Sequence, residues 1–222
     1  MRFAFVDGKK QEATPGRRGV CPCCGSATVA KCGPHTIHHW AHKTKAECDP
    51  WWENESAWHR QWKDHFPETW QEVVQFDDSG EKHVADVRTA NGMVIEFQHS
   101  AITTAEARSR ERFYKKMMWI VDLHRNPNEF YMFKMGLEFA LSGMRDGVVG
   151  MPWYGRSKLL HNWSWASVPV LFDLRMGDDL WLFKGFEKGE TIEHVDRYLV
   201  KHISKRALIE KNGGTYAERQ AD

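Results

Sequence analysis

The stretch His83–Ser100, HVADVRTANGMVIEFQHS, constrains this chain more than any other. Apolar and polar residues alternate on both sides of Ala90-Asn91-Gly92, the pattern of a β-hairpin. A two-residue Asn91-Gly92 loop would set Asp86 against Phe97 and Val87 against Glu96, mixing charge with apolar side chains on both faces. A three-residue loop, with Gly92 in the left-handed conformation, sorts them. One face then carries Val84/Gln98, Asp86/Glu96 and Arg88/Val94. The other carries Ala85/Phe97, Val87/Ile95 and Thr89/Met93, which is a core face. The second register is the expected one.

That register makes Asp86 and Glu96 direct cross-strand neighbours, with Gln98 on the same side. Two like charges about 4 Å apart repel by roughly 4 kcal/mol at an effective dielectric near 20. Either one carboxyl holds a proton or a cation sits between them. Oxygen ligands at this density suit Mg²⁺ or Mn²⁺. The alternative is a solvated sheet face on which Arg88 neutralises one acid.

The chain has 222 residues and a formal net charge of +1, so any nucleic-acid surface must be a local one. No apolar run approaches a membrane span, and the start MRFAFVDGKK is too polar and short for a signal peptide. Five cysteines crowd into Cys21–Cys48 among histidines, which reads as metal ligation in a reducing, cytoplasmic setting rather than as disulfides. The eleven tryptophans are read as packing before base stacking.

Cys21-x2-Cys24 is followed by His39-x2-His42, two short paired spacings able to wrap a tetrahedral Zn²⁺. Cys23, Cys32, His35, His38 and Cys48 are further candidate ligands. Such a site would be structural, stapling a segment too small to hold its own core. Asp49-Pro50 then has the form of a helix start, with WWENESAWHRQWKDHF following. On a helix, Trp51, Trp58, Trp62 and Phe66 make one stripe, and Glu55 lies in it. Glu55 either pairs with His59 or Lys63 along the helix or reaches the Asp86/Glu96 face as a third acid. Lys63 is most simply a solvated side chain.

The elements HWAH, CDPWWENES-x2-H-x3-K, GEKHVADVRT, VIEFQHS, R-x-R-F-Y and W-I-V-D, in this order, resemble the competence protein CoiA family. The nuclease domain of that family belongs to the PD-(D/E)XK superfamily. The resemblance is strong over about residues 17–125 and loose beyond. It implies a Mg²⁺- or Mn²⁺-dependent nuclease acting on DNA, preceded by a zinc-binding region. By position, Glu55 matches the family's helix acid, and Asp86, Glu96 and Gln98 match its catalytic strand residues. The resemblance also implies DNA uptake, recombination or mobile-element processing as settings. A homodimer or other DNA-processing proteins are candidate partners.

The rest of the chain is read from pattern. Trp70–Phe76 is a strand, and Thr103 with Glu106 begins a helix running to about Met117. Arg108, Arg112 and Lys115 on that helix make either a solvated face or a phosphate-backbone contact. Met118–Val121 is a buried strand. Residues 128–144 are read as a helix and 147–164 as loops. Residues 168–174 and 180–186 form a second hairpin. Thr191–Lys211 is a helix stopped by Gly213-Gly214.

The expected fold class is α/β (α+β). A restriction-endonuclease-like αβββαβ core with a mixed sheet (49–125) follows an N-terminal zinc-binding knuckle (1–48) and precedes a C-terminal α+β accessory region (126–222). That last region would extend the sheet, form a dimer surface or touch DNA.

Overall fold

The computed structural model describes residues 1–44, 48–51, 53–152, 159–186 and 197–217. The protein is α+β, and its chain divides into two compact units, Met1–Ala90 and Asn91–Asp222.

The first unit opens with a five-stranded antiparallel sheet: β1 (Phe3–Val6), β2 (Lys9–Glu12), β3 (Arg18–Val20), β4 (Ala27–Lys31) and β5 (His39–His42), in the order β2-β1-β3-β4-β5. Val6 pairs with Lys9 across a two-residue turn in which Asp7 (φ 50°) and Gly8 (φ 75°) are both left-handed. A tight turn of this hand matches the twist of the flanking strands. Ala4, Val6, Ala13 and Trp40 form the small core of the sheet, and the Trp40 indole N–H donates to Gln11 O at 2.9 Å. At Gly19 a Cβ would sit 3.0 Å from Phe5 O and 3.1 Å from Ala4 Cβ, so only glycine lets β3 lie this close to β1.

Helix α1 spans Ala57–Lys63, shorter than the helix expected from Asp49-Pro50. The Asp49 carboxylate instead accepts from Trp51 N (3.0 Å) and Val84 N (2.7 Å) and meets His83 Nδ1 (2.8 Å). Ser56 caps the helix in its place, in a reciprocal box with His59. Trp58, Trp62 and Phe66 are buried, as their spacing predicts. Strands β6 (Gln71–Phe76) and β7 (Lys82–Arg88) pair antiparallel. Along β7, His83, Ala85 and Val87 are buried while Val84 and Asp86 are half-buried, the alternation expected of a one-sided strand.

The second unit begins at the hairpin turn, where Gly92 (φ 77°) takes the expected left-handed conformation. Strand β8 (Val94–Gln98) is joined through helix α2 (Thr104–Tyr114) to the parallel strand β9 (Met117–Asp122). Thr103 Oγ1 accepts from Glu106 N at 3.2 Å, and Lys115 at φ 59° ends the helix. All residues of β8 and β9 are buried, which fits a parallel pair covered on both faces.

Strand β10 (Val148–Met151) comes after helix α3 (Pro127–Ala140), which Asn126 caps. Helix α4 (Leu159–Trp163) precedes the hairpin of β11 (Val170–Asp173) and β12 (Asp179–Phe186). Strand β13 (Tyr198–Ser204) and helix α5 (Lys205–Lys211) complete the unit. Within it the sheet runs β10-β13-β12-β11-β9-β8, with β8, β9 and β11 parallel and the other pairs antiparallel, so the sheet is mixed.

Two expectations fail here. The span 147–164, expected as loops, contains β10 and α4. Of the helix expected over Thr191–Lys211, residues 191–196 lie outside the described residues, Tyr198–Ser204 is a strand, and only Lys205–Lys211 is helical. Tyr198–Ser204 has β12 on one side and β10 on the other, and two ladders of backbone hydrogen bonds outweigh a weak helical pattern. Gly213 (φ 81°) does stop α5, and Gly214 N donates back to Ile209 O at 3.0 Å.

Candidate functional site

A group of residues able to ligate a metal lies in the first unit. Cys21 and Cys24 flank a tight turn in which Gly25 N donates to Cys21 O at 3.0 Å and Cys21 N to Ser26 O at 2.9 Å. One ligand atom each from Cys21, Cys24, His42 and Cys48 lies within 4.8 Å of every other. The Cys21 and Cys48 sulfurs are 3.7 Å apart, and Cys24 Sγ is 3.3 Å from His42 Nε2. Zn–S bonds of about 2.3 Å put tetrahedral sulfurs about 3.8 Å apart, so the spacing fits an ion at the centre.

Thiol titration carries the same signature. Burial raises Cys21, and burial with the neighbouring Cys21 and Cys23 raises Cys48. At Cys24 burial works upward too, but hydrogen bonds with Ser26 and contacts with Cys21 and Cys48 outweigh it and lower the thiol to about 6. Thiols this close cannot all ionise unless a cation joins them. The cluster is thus able to hold a metal ion such as zinc.

His39, expected as a ligand, is not in the cluster. It sits on β5 three residues before His42, and strand residues three apart face opposite sides. Its Nδ1 donates to Ile37 O at 2.9 Å. Cys48 takes the fourth position, from a distance along the chain that paired spacing does not reveal. Cys23, also buried, stands beside the cluster, and its carbonyl accepts from Lys82 Nζ at 2.7 Å.

A second group gathers in the same unit around Lys63, which is 2 % exposed rather than solvated. Its ammonium lies 2.6 Å from Glu55 Oε1, 3.3 Å from Glu72 Oε1 and 3.5 Å from Asp86 Oδ1. Gln71 pairs with Val87 and Val73 with Ala85, which sets Glu72 opposite Asp86 on β6 and β7. Two acids across a strand pair therefore share one cation.

Burial works to lower Lys63, but Glu72, Asp86 and Glu55 together raise it, so it stays charged. Burial likewise works to raise Glu72, yet Lys63, the N-terminal amine and the backbone N–H groups of Arg2 and Phe3 lower it to about 2. Those N–H groups donate to the Glu72 carboxylate at 2.8 and 3.1 Å, and the Glu72 backbone has an unusual φ of 46°. Glu55 precedes α1 rather than lying on its stripe. It uses both oxygens on cations, with Arg60 Nε at 2.8 Å from Oε2. Glu55 does pair with Lys63, though not along the helix, and through that ammonium it stands on the same side as Asp86. Glu72 was not singled out in the sequence, and a lone acid inside the apolar run of β6 was the signal available.

In the second unit Glu96 is 3 % exposed and accepts from Arg110 Nη1 at 3.1 Å. Arg110, inward-facing on α2, also holds Glu106 at 2.5 Å. Gln98 is buried and donates through Nε2 to Ser100 O at 2.8 Å. Arg108, Arg112 and Lys115 are exposed on or just after α2, and Arg108 lies over the Trp165 ring at 5.5 Å. Comparison with family models, with curated proteins and with solved structures finds no match. The case for a function therefore rests on these residues alone. Among the described residues no helix is long and apolar enough to cross a membrane.

Proposed function

We propose that the chain is a metal-dependent nuclease that hydrolyses DNA phosphodiester bonds, built on a restriction-endonuclease-like core of the CoiA kind. The observation that carries this reading is the cluster of Glu55, Glu72 and Asp86 around the buried Lys63, in which Glu55, Lys63 and Asp86 fall inside the ordered motifs and Glu72 is added by the fold. Burying such a cluster carries a desolvation cost, and clusters of this kind concentrate at functional sites. The chain order α1-β6-β7-β8-α2-β9 supports the same reading.

In this reading Asp86 and Glu96 are the Mg²⁺ or Mn²⁺ ligands. Each has a cation beside it within its own unit, Lys63 for Asp86 and Arg110 for Glu96. These offset the negative charge of the two carboxylates. A divalent ion would supply Lewis acidity and a more acidic bound water. Glu55, with both oxygens engaged, fixes Lys63 rather than ligating metal. Lys63 contributes the positive charge that Gln98 lacks, and Gln98 orients by hydrogen bonds. Arg108, Arg112 and Lys115 meet the phosphate backbone without sequence preference.

The test is cleavage of single- and double-stranded DNA with Mg²⁺ or Mn²⁺ by wild type, Asp86→Ala and Glu96→Ala. Loss in both variants supports the reading, and equal activity removes it. A second reading has its own support in the Cys₃His cluster and the exposed arginines: a non-catalytic nucleic-acid-binding zinc protein. It predicts DNA binding that weakens with salt and no cleavage by the wild type.

A further inference from the structure

The second unit has a cavity of ≈ 380 Å³ lined by Gln98, His99, Thr103, Asp122, Asn126 and Trp163, among others. At its wall His99 Nδ1 lies 2.6 Å from Asp122 Oδ2. The Asp122 side chain is 0 % exposed. Arg175 grips both its oxygens, with Nε 3.0 Å from Oδ1, and His124 N donates to Oδ1 at 3.0 Å. We propose that this cavity takes a phosphate-bearing ligand and that His99, oriented by Asp122, exchanges a proton with it. The proposal rests on the hydrolytic reading above and extends it.

The argument begins with the carboxylate. Both Asp122 oxygens accept from Arg175, and a carboxylate so held can only accept, so the shared proton belongs to His99 Nδ1. That fixes the tautomer: Nε2 is the basic nitrogen of the neutral ring and a donor in the charged one. A buried carboxylate that guanidinium and backbone already satisfy is not needed merely to solvate a partly exposed imidazole. Its effect is to hold the ring in one orientation, and the ring lines the cavity.

The cavity also suits an anion. The N-termini of α2, at Thr103 and Thr104, and of α3, at Asn126, both border it. Each brings the partial positive charge of a helix start, and α2 adds first-turn N–H groups, whereas at α3 the Asn128 and Glu129 N–H groups already donate to the Asn126 cap. Arg125 adds a full charge. Asp122 is balanced by Arg175, and Glu129, the other acid on the wall, accepts from Leu159 N at 3.2 Å. Asp173 and Lys205 stand behind Arg175, where Asp173 Oδ1 accepts from Arg175 N at 2.7 Å.

The step balances. As a water oxygen bonds to phosphorus, the P–O bond to the leaving sugar oxygen breaks, and imidazolium Nε2 gives that oxygen its proton. The water keeps one hydrogen on the new P–OH, and its other proton restores the imidazolium. General acid catalysis of this kind is worth about 10²-fold or more.

The test combines single-turnover DNA cleavage with Mn²⁺ and nitrogen NMR of histidine-labelled full-length protein. Expected are an Nδ1–H tautomer at His99, a ring shift that saturates with inorganic phosphate, and about 10²-fold slower cleavage in His99→Gln with one limb of the pH–rate profile gone. Asp122→Asn, as a positioning change, should displace that limb and disturb the tautomer. If the wild type cleaves and His99→Gln matches its rate and profile, the inference is overturned while the hydrolytic reading stands. If the wild type does not cleave, the hydrolytic reading falls. Phosphate saturation at His99 then supports the binding half, and its absence overturns the whole. The NMR readout remains decisive even if Asp122→Asn fails to fold.

Discussion

Replacing Lys63 by Met removes the ammonium that lies 2.6, 3.3 and 3.5 Å from Glu55, Glu72 and Asp86. Each contact is worth about 5–6 kcal/mol of gross attraction at an effective dielectric near 20. Desolvation of the ions takes back most of this, and stripping one partner from a buried ionic group costs about 3–5 kcal/mol in practice. We therefore expect Lys63→Met to lose about 3–5 kcal/mol at pH 7, read by urea denaturation with tryptophan fluorescence.

The pH dependence has a definite sign. With Lys63 in place Glu72 is lowered from 4.5 to about 2. Its contribution is present above pH 4.5 and is lost as pH falls through about 2. Without Lys63 burial is opposed only by the N-terminal amine and the backbone N–H groups of Arg2 and Phe3, so the folded carboxyl rises from its wild-type value. Protonation of the variant then stabilises its folded state relative to wild type, so the gap between the two narrows as pH falls through that raised pKa. Adding Glu72→Gln to the variant should recover part of the loss. A loss under about 1 kcal/mol at pH 7, as expected of an exposed pair, or a gap that does not change with pH would refute the reasoning.

Other outcomes follow from the same structure. The wild type should bind about one zinc per chain, Cys48→Ser should lose it and His39→Ala should keep it, as read by metal analysis after dialysis. Chelation should lower the melting temperature, because ligand binding to the folded chain is folding free energy. Thr103→Ala should cost about 1 kcal/mol by removing the cap of α2, measured by chemical denaturation. The double variant Arg108→Gln/Arg112→Gln should weaken DNA binding and lower the slope of log affinity against log salt by about 1–2.

What the sequence alone determined was local. Alternation marked β7 and β8, a short strand-like run marked β6, an apolar run marked β9, the Thr103 cap marked α2, and Gly92 and Gly213 fell in the left-handed positions expected of them. These follow from the few residues on either side, where turn chemistry and period act. The cysteine cluster was legible as a metal site, but its ligand set was not. Whether His39 or Cys48 completes it depends on β5 being a strand that turns His39 away from His42.

The neutralising partners were hidden for a similar reason. Glu55, Glu72 and Asp86 meet Lys63, Glu96 meets Arg110, and Asp122 meets His99 and Arg175, because packing brings distant segments together. A charged side chain looks solvated in a sequence, since its burial is decided by what covers it. Only the tertiary structure decides which charges lose their water, and with it which ones must find each other.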